Sequence, residues 1–105
     1  MAEIPPRRPS EPLWRDVLGE QLRRLRRERG ETLLETAERA GVSPQYLSEM
    51  ERGVKEPSSE MIAAVAGALD TTLVDLTTGV AERLRSHQAL VSVGRLSRAW
   101  YALAA

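Results

Sequence analysis

Between Ser43 and Gly53 the chain reads SPQYLSEMERG. At helical spacing Pro44, Gln45, Ser48 and Glu49 fall on one side of this stretch, and Leu47 and Met50 on the other. An amide, a hydroxyl and a carboxylate side by side on an exposed helix are groups for hydrogen-bonded recognition. Catalysis asks for more: a nucleophile with its base, a carboxylate pair in a cleft, or metal ligands. The sequence has no cysteine and a single histidine, His87. Thiolate chemistry and a histidine metal cluster are therefore excluded, and His87 reads as an exposed helix residue without a chemical role. No enzymatic activity, metal or cofactor is expected.

A recognition helix this short has to be held by its neighbours, and the flanking sequence supplies them. Leu18, Leu22 and Leu25 recur at helical spacing with Arg and Glu between them, and Gly30 ends the run, so a first helix is expected over about 13–29. Thr32 with Glu35 three residues later is a capping box, and Gly41 stands where a helix end takes a positive φ. That predicts a second helix of about eight residues. In the third, Ser43 is the cap, Pro44 suits the first helical position because its N–H is missing, and Gly53 closes the helix. The tight turn AGVS joins the two short helices. Ser58 caps a fourth helix with Met61, Ile62, Val65, Ala66 and Leu69 on its apolar face, and Met50 and Met61 are both expected in the core. Thr72 and Asp75 start a fifth from about Leu73. No strand is read in the first 80 residues.

Three segments follow. Residues 1–12 hold four of the six prolines among charged residues and read as a disordered arm. Residues 13–79 form the helical domain. Residues 80–105 can be drawn as an amphipathic helix with Val80, Leu84, Leu90 and Val91 on one side, but Gly94 and three serines dilute it and partial order is expected. Net charge is zero, yet residues 1–29 carry eight arginines against five acids and residues 30–56 three bases against six acids. The run RRLRRER, Arg23 to Arg29, holds the densest positive charge and by default is a solvated helix face, with a phosphate-facing role as the alternative. No apolar run approaches the ~20 residues of a membrane helix, and no signal-peptide pattern is present, so a cytoplasmic location without membrane contact is expected.

Two short helices joined through a glycine-containing turn, with one supporting helix before them and two after, make the plan of a helix-turn-helix DNA-binding domain. Leu47 and Met50, with Ala37, Ala40 and Val42, would anchor the third helix. At GVSPQYLSEMERGVKEPSSEMIAAVAGAL the chain resembles the XRE, or Cro/repressor, family from about Leu18 to Leu76. Within it, YLSEMERG followed by KEPSSE is most similar to actinobacterial regulators of Clp protease genes, the ClgR type. The resemblance implies an all-α, five-helix, lambda-repressor-like domain.

Residue roles follow from the same resemblance. Gln45 and Glu49 would face base edges, since Gln can pair with adenine and Glu can accept from cytosine N4. Thr32, Ser43, Tyr46 and Ser48, with the helix N-terminal amides, would touch phosphates, and Arg52 and Lys55 would reach the DNA backbone. Arg26 and Glu51 would form an ion pair between the first and third helices. Leu33 replaces a glutamine that contacts phosphate in many relatives, and Pro44 stands where a base-reading residue is frequent, so operator preference does not carry over.

The reading is a sequence-specific transcriptional regulator acting on double-stranded DNA at a palindromic operator, an activator of Clp protease genes, with RNA polymerase as a partner in that case. The alternative is an antitoxin or coactivator-type module whose helix-turn-helix binds protein. One short recognition helix reads few base pairs, so a homodimer is expected, with its interface on the fifth helix at Leu73, Leu76 and Val80 and on through Leu84. The terminal YALAA resembles the tag that bacterial ribosome rescue adds to stalled chains. That resemblance implies a degradation signal at Leu103, Ala104 and Ala105 with Clp protease as the degrading partner.

Overall fold

The computed structural model describes the backbone of residues 13–104 and the side-chain surroundings of residues 13–90. Five α-helices follow one another: α1 (Trp14–Glu28), α2 (Leu33–Ala40), α3 (Pro44–Glu51), α4 (Ser59–Ala68) and α5 (Leu73–Ala104). Among the described residues there is no strand, and no single helix is long and apolar enough to cross a membrane. The chain is all-α, in the expected order.

Local chemistry sets the boundaries. The hydroxyl of Thr32 accepts the N–H of Glu35 at 3.1 Å while the Glu35 carboxylate accepts the N–H of Thr32 at 3.1 Å, closing the capping box of α2. Ser43 accepts the N–H of Tyr46 at 3.0 Å, with Pro44 in the first turn of α3. Ser58 and Thr72 cap α4 and α5 in the same way, through Met61 and Asp75. Gly41 leaves α2 at φ +72°, and Gly53 follows the last turn of α3 at φ +68°. Neither conformation suits a side chain with a Cβ.

The core draws on every helix: Val17, Leu18 and Leu22 from α1, Ala37 from α2, Leu47 and Met50 from α3, Ile62, Val65 and Ala66 from α4 with Leu69 at its end, and Leu76 and Val80 from α5. The α1 helix packs on α3 and α5, α2 on α3 and α4, and α4 on α5. The α2–α3 pair is thus held from behind by α1 and α4. An isolated eight-residue helix does not form in water, where ~12–15 residues are already marginal. For α3 the deficit is met by burial of Leu47 and Met50, at about 1.5–3 kcal/mol each.

Three expectations are corrected. Met61 is exposed, because Ile62, Val65, Ala66 and Leu69 take the i, i+3, i+4, i+7 stripe and Met61 lies one step off it. His87 is half-buried on α5 rather than exposed. The apolar side of α5 assigned to an interface is used within the chain: Leu76 and Val80 are fully buried, and Leu73 and Leu84 pack against the same core. From Val80 the backbone continues α5 through Gly94 to Ala104. The expected arm, residues 1–12, and Ala105 lie outside the described residues, as do the side chains of Leu103 and Ala104.

Candidate nucleic-acid interface

With its apolar side spent on the core, α3 turns Pro44 and Gln45 fully outward and leaves Ser48 and Glu49 half-exposed beside them. The four expected recognition positions therefore share one outward face. Lys55 lies beyond the end of α3, its ammonium 5.2 Å from the centre of the Tyr46 ring and 3.8 Å from the Glu49 carboxylate. The three side chains hold one another across the helix end, and part of the Glu49 charge is offset by Lys55. Arg52 is exposed at the C-cap of α3.

Two of the four hydroxyls expected at phosphates, those of Thr32 and Ser43, are also helix caps. Ser43 accepts from Tyr46, which leaves its own O–H free to donate outward. Thr32 differs: its O–H donates to Glu35 at 2.9 Å, so a phosphate contact through that hydroxyl would compete with the capping box. The main-chain N–H groups at the start of α2 precede any intrahelical acceptor and add a partial positive charge at that end.

The pose of this face is set from underneath. Arg26 on α1 grips Glu51 with two parallel hydrogen bonds, Nε to Oε2 at 2.7 Å and Nη2 to Oε1 at 2.9 Å, and its Nη1 donates to the carbonyl of Glu31 at 2.9 Å. Both side chains are largely buried. Bidentate geometry fixes orientation as well as distance, so α3 is pinned at its C-terminal end to α1. The same hydrogen bonds hold the Arg26 guanidinium above its usual pKa.

Two supports gave no sign in the sequence. Gly19 lies where α1 crosses the end of α3, and a Cβ there would come within 2.5 Å of the main-chain oxygens of both Met50 and Glu51. Only a residue without a side chain allows that crossing. Glu31, between α1 and α2, accepts from Arg29, from Arg39 and from the buried hydroxyl of Thr36 at 2.7 Å. Arg29 also reaches Asp70, and Arg39 the carbonyl of Ala68. This ionic cluster ties the start of α2 to the end of α4. The hydrogen bond from Arg39, then that from Thr36, brings the Glu31 carboxyl down to about 2. A glutamate in a short loop carries no pattern that marks it as a hub.

A helix-turn-helix family profile matches residues 22–76, over half of the chain. The chain belongs to the XRE-type helix-turn-helix family. It is a DNA-binding transcriptional regulator of the ClgR type. Over 87 residues it is 41% identical to the transcriptional regulator ClgR of Mycobacterium tuberculosis, spanning 83% of this chain and 78% of that protein. The crystal structure of the clp gene regulator ClgR from Corynebacterium glutamicum is similar at a TM-score of 0.72 with 44% identity, over 82% of this chain and 92% of that one. A restriction-modification controller protein, C.AhdI from Aeromonas hydrophila, is similar at 0.57 with 31% identity, over 59% of this chain and 94% of that one. These relatives are regulators, and the helix-turn-helix regulator they resemble here is a DNA-binding protein rather than an enzyme.

Proposed function

We propose that the chain is a homodimeric activator of Clp protease genes that recognises a palindromic operator through α3. The observation that carries the reading is the outward face of α3, held in a fixed pose by Arg26 and Glu51, in a chain 41% identical to ClgR over most of its length. On that face Gln45 and Glu49 read base edges next to Pro44. Thr32, Ser43, Tyr46, Ser48, Arg52 and Lys55 engage the backbone. Residues 13–79 act as the DNA-binding domain, and RNA polymerase is the partner through which activation occurs.

Dimerisation follows from the size of the recognition helix, since two copies read two half-sites one helical turn apart. The 32 residues of α5 span ~48 Å against ~22 Å for the 15 of α1. The Leu76 and Val80 side of α5 is spent on the chain's own core, so an interface on this helix would use its other sides. Residues 80–105 also carry the turnover signal, with Leu103, Ala104 and Ala105 as the element a Clp protease engages. Control is then by abundance: when damaged substrates occupy the protease the regulator persists and transcription rises.

Fluorescence anisotropy against duplexes from Clp gene promoters, with scrambled duplexes beside them, tests the DNA half. Selective binding at the promoter sites is expected, and equal weak binding to all duplexes would oppose it. Ala104→Asp with Ala105→Asp tests the turnover half. A longer cellular lifetime is expected, and an unchanged one would remove the tail from the mechanism.

A further inference from the structure

Between α1 and α5 lies a groove of about 830 Å³ that runs from Asp16 to Arg24 on one helix and from Gly79 to Leu90 on the other, ~12 Å and ~17 Å of helix. Its floor is Val17, Gln21 and Gly79. Gln21 is only 8% exposed. Its Oε1 accepts from Arg24 at 2.6 Å, and among the described residues its Nε2 has no acceptor. That nitrogen lies against Gly79, 3.1 Å from where a Cβ would stand. Among the described residues no fully enclosed side-chain nitrogen lacks a partner, so this one opens to the groove. A buried amide with a proton to give asks for a carbonyl.

The walls add charge and an apolar edge. Three carboxylates, of Asp16, Glu20 and Glu82, face the guanidinium groups of Arg24 and Arg83, and Arg24 is committed to Gln21 and Glu28. Glu20 and Glu82 are exposed, one on each wall, and among the described residues neither has an ion pair. Leu90 stands 74% exposed at the rim.

We propose that this groove seats the chain's own N-terminal stretch Ile4 to Pro9, IPPRRP, with Arg7 and Arg8 on Glu20 and Glu82 and a main-chain carbonyl of the stretch on Gln21 Nε2. The inference goes beyond the proposed function and does not depend on it. Connection and length fit: the stretch joins α1 at Leu13, Glu20 lies ~10 Å along that helix, and Arg8, five residues before Leu13, has ~16 Å of extended chain to reach it. Between them PSEP, Pro9 to Pro12, is a sequence that turns readily. The prolines preset an extended, left-handed conformation, offer carbonyls and bring no N–H that would need a partner. Ile4, Pro5 and Pro6 supply apolar surface for Leu90. Seated, the stretch bridges α1 to α5 and holds Arg7 and Arg8 on the domain instead of on DNA.

The chain has no cysteine, so Ala2→Cys in the full-length protein carries a single nitroxide label, read by paramagnetic broadening of backbone amide signals. We expect broadening at Gln21, Gly79 and Ser86, none on the outer face of α3, and a weaker effect as salt is added. Arg7→Glu with Arg8→Glu should abolish the broadening, and Glu20→Arg with Glu82→Arg added to that pair should restore it, with thermal melting checking the fold of each variant. An unbroadened groove would overturn the proposal, as would broadening that survives reversal of Arg7 and Arg8. Broadening found only in mixtures, where label and isotope sit on different copies, would place the stretch on a second copy and overturn it as well. So would broadening that appears only with duplex DNA and on the outer face of α3, which would make the stretch a DNA contact.

Discussion

On its inner side α3 buries Leu47 and Met50, abuts Gly19 through its main chain and gives Glu51 to Arg26. On its outer side Pro44 and Gln45 stand in solvent, with Ser48 and the Glu49–Lys55–Tyr46 group beside them. The inner contacts carry stability and set the pose. The outer groups contribute little to stability, which is what leaves them free to exchange water for a ligand at small cost. Recognition and support are thus carried by different residues of one eight-residue helix, and substitutions should separate them.

The largest effect is expected at Gly19. In Gly19→Ala the new methyl meets two main-chain oxygens that no rotamer change can move, so α1 and α3 must part. We expect a loss of about 3 kcal/mol in chemical denaturation, with the ~1 kcal/mol gained in helix propensity already offset. DNA affinity should fall with it, because the pose of the outer face changes. Glu51→Gln comes next. It leaves Arg26 largely buried without its counter-charge and should cost about 2 kcal/mol by the same measurement.

How much of this was legible in the sequence depended on how local the cause was. Thr32 with Glu35, Ser43 with Pro44, and the glycines at 41 and 53 act within four residues, and the helix boundaries they predict are those observed. The anchor residues Leu47 and Met50 followed from spacing alone. Gly19 escaped notice because its role is defined by a backbone brought to it by the fold. Met61 was misplaced because a helix rich in alanine blurs the edge of its apolar stripe. The apolar side of α5 was legible as apolar, but whether it served this chain or a second copy was not written in its period. Arg26 and Glu51 were assigned through family resemblance, and their spacing of 25 residues would not have paired them otherwise.

Acid should weaken the support through Glu31. Glu31 sits at about 2 in the folded chain against an ordinary 4.5, so its contribution to stability is complete above pH 4.5 and is lost as pH falls from there toward 2. The melting temperature should drop through that window, and Glu31→Gln should flatten that part of the profile while lowering stability at neutral pH. The smallest effect on stability is expected outside: Gln45→Ala should change unfolding free energy by no more than about 0.5 kcal/mol.

The measurement that bears most directly on the division of labour is therefore operator discrimination by Gln45→Ala, read by anisotropy against the operator and against duplexes changed at single positions. We predict a chain with unaltered melting that still binds DNA but loses about 1–3 kcal/mol of discrimination at one base pair in each half-site. Unaltered discrimination at every position, with the fold intact, would contradict the assignment of this face to base recognition.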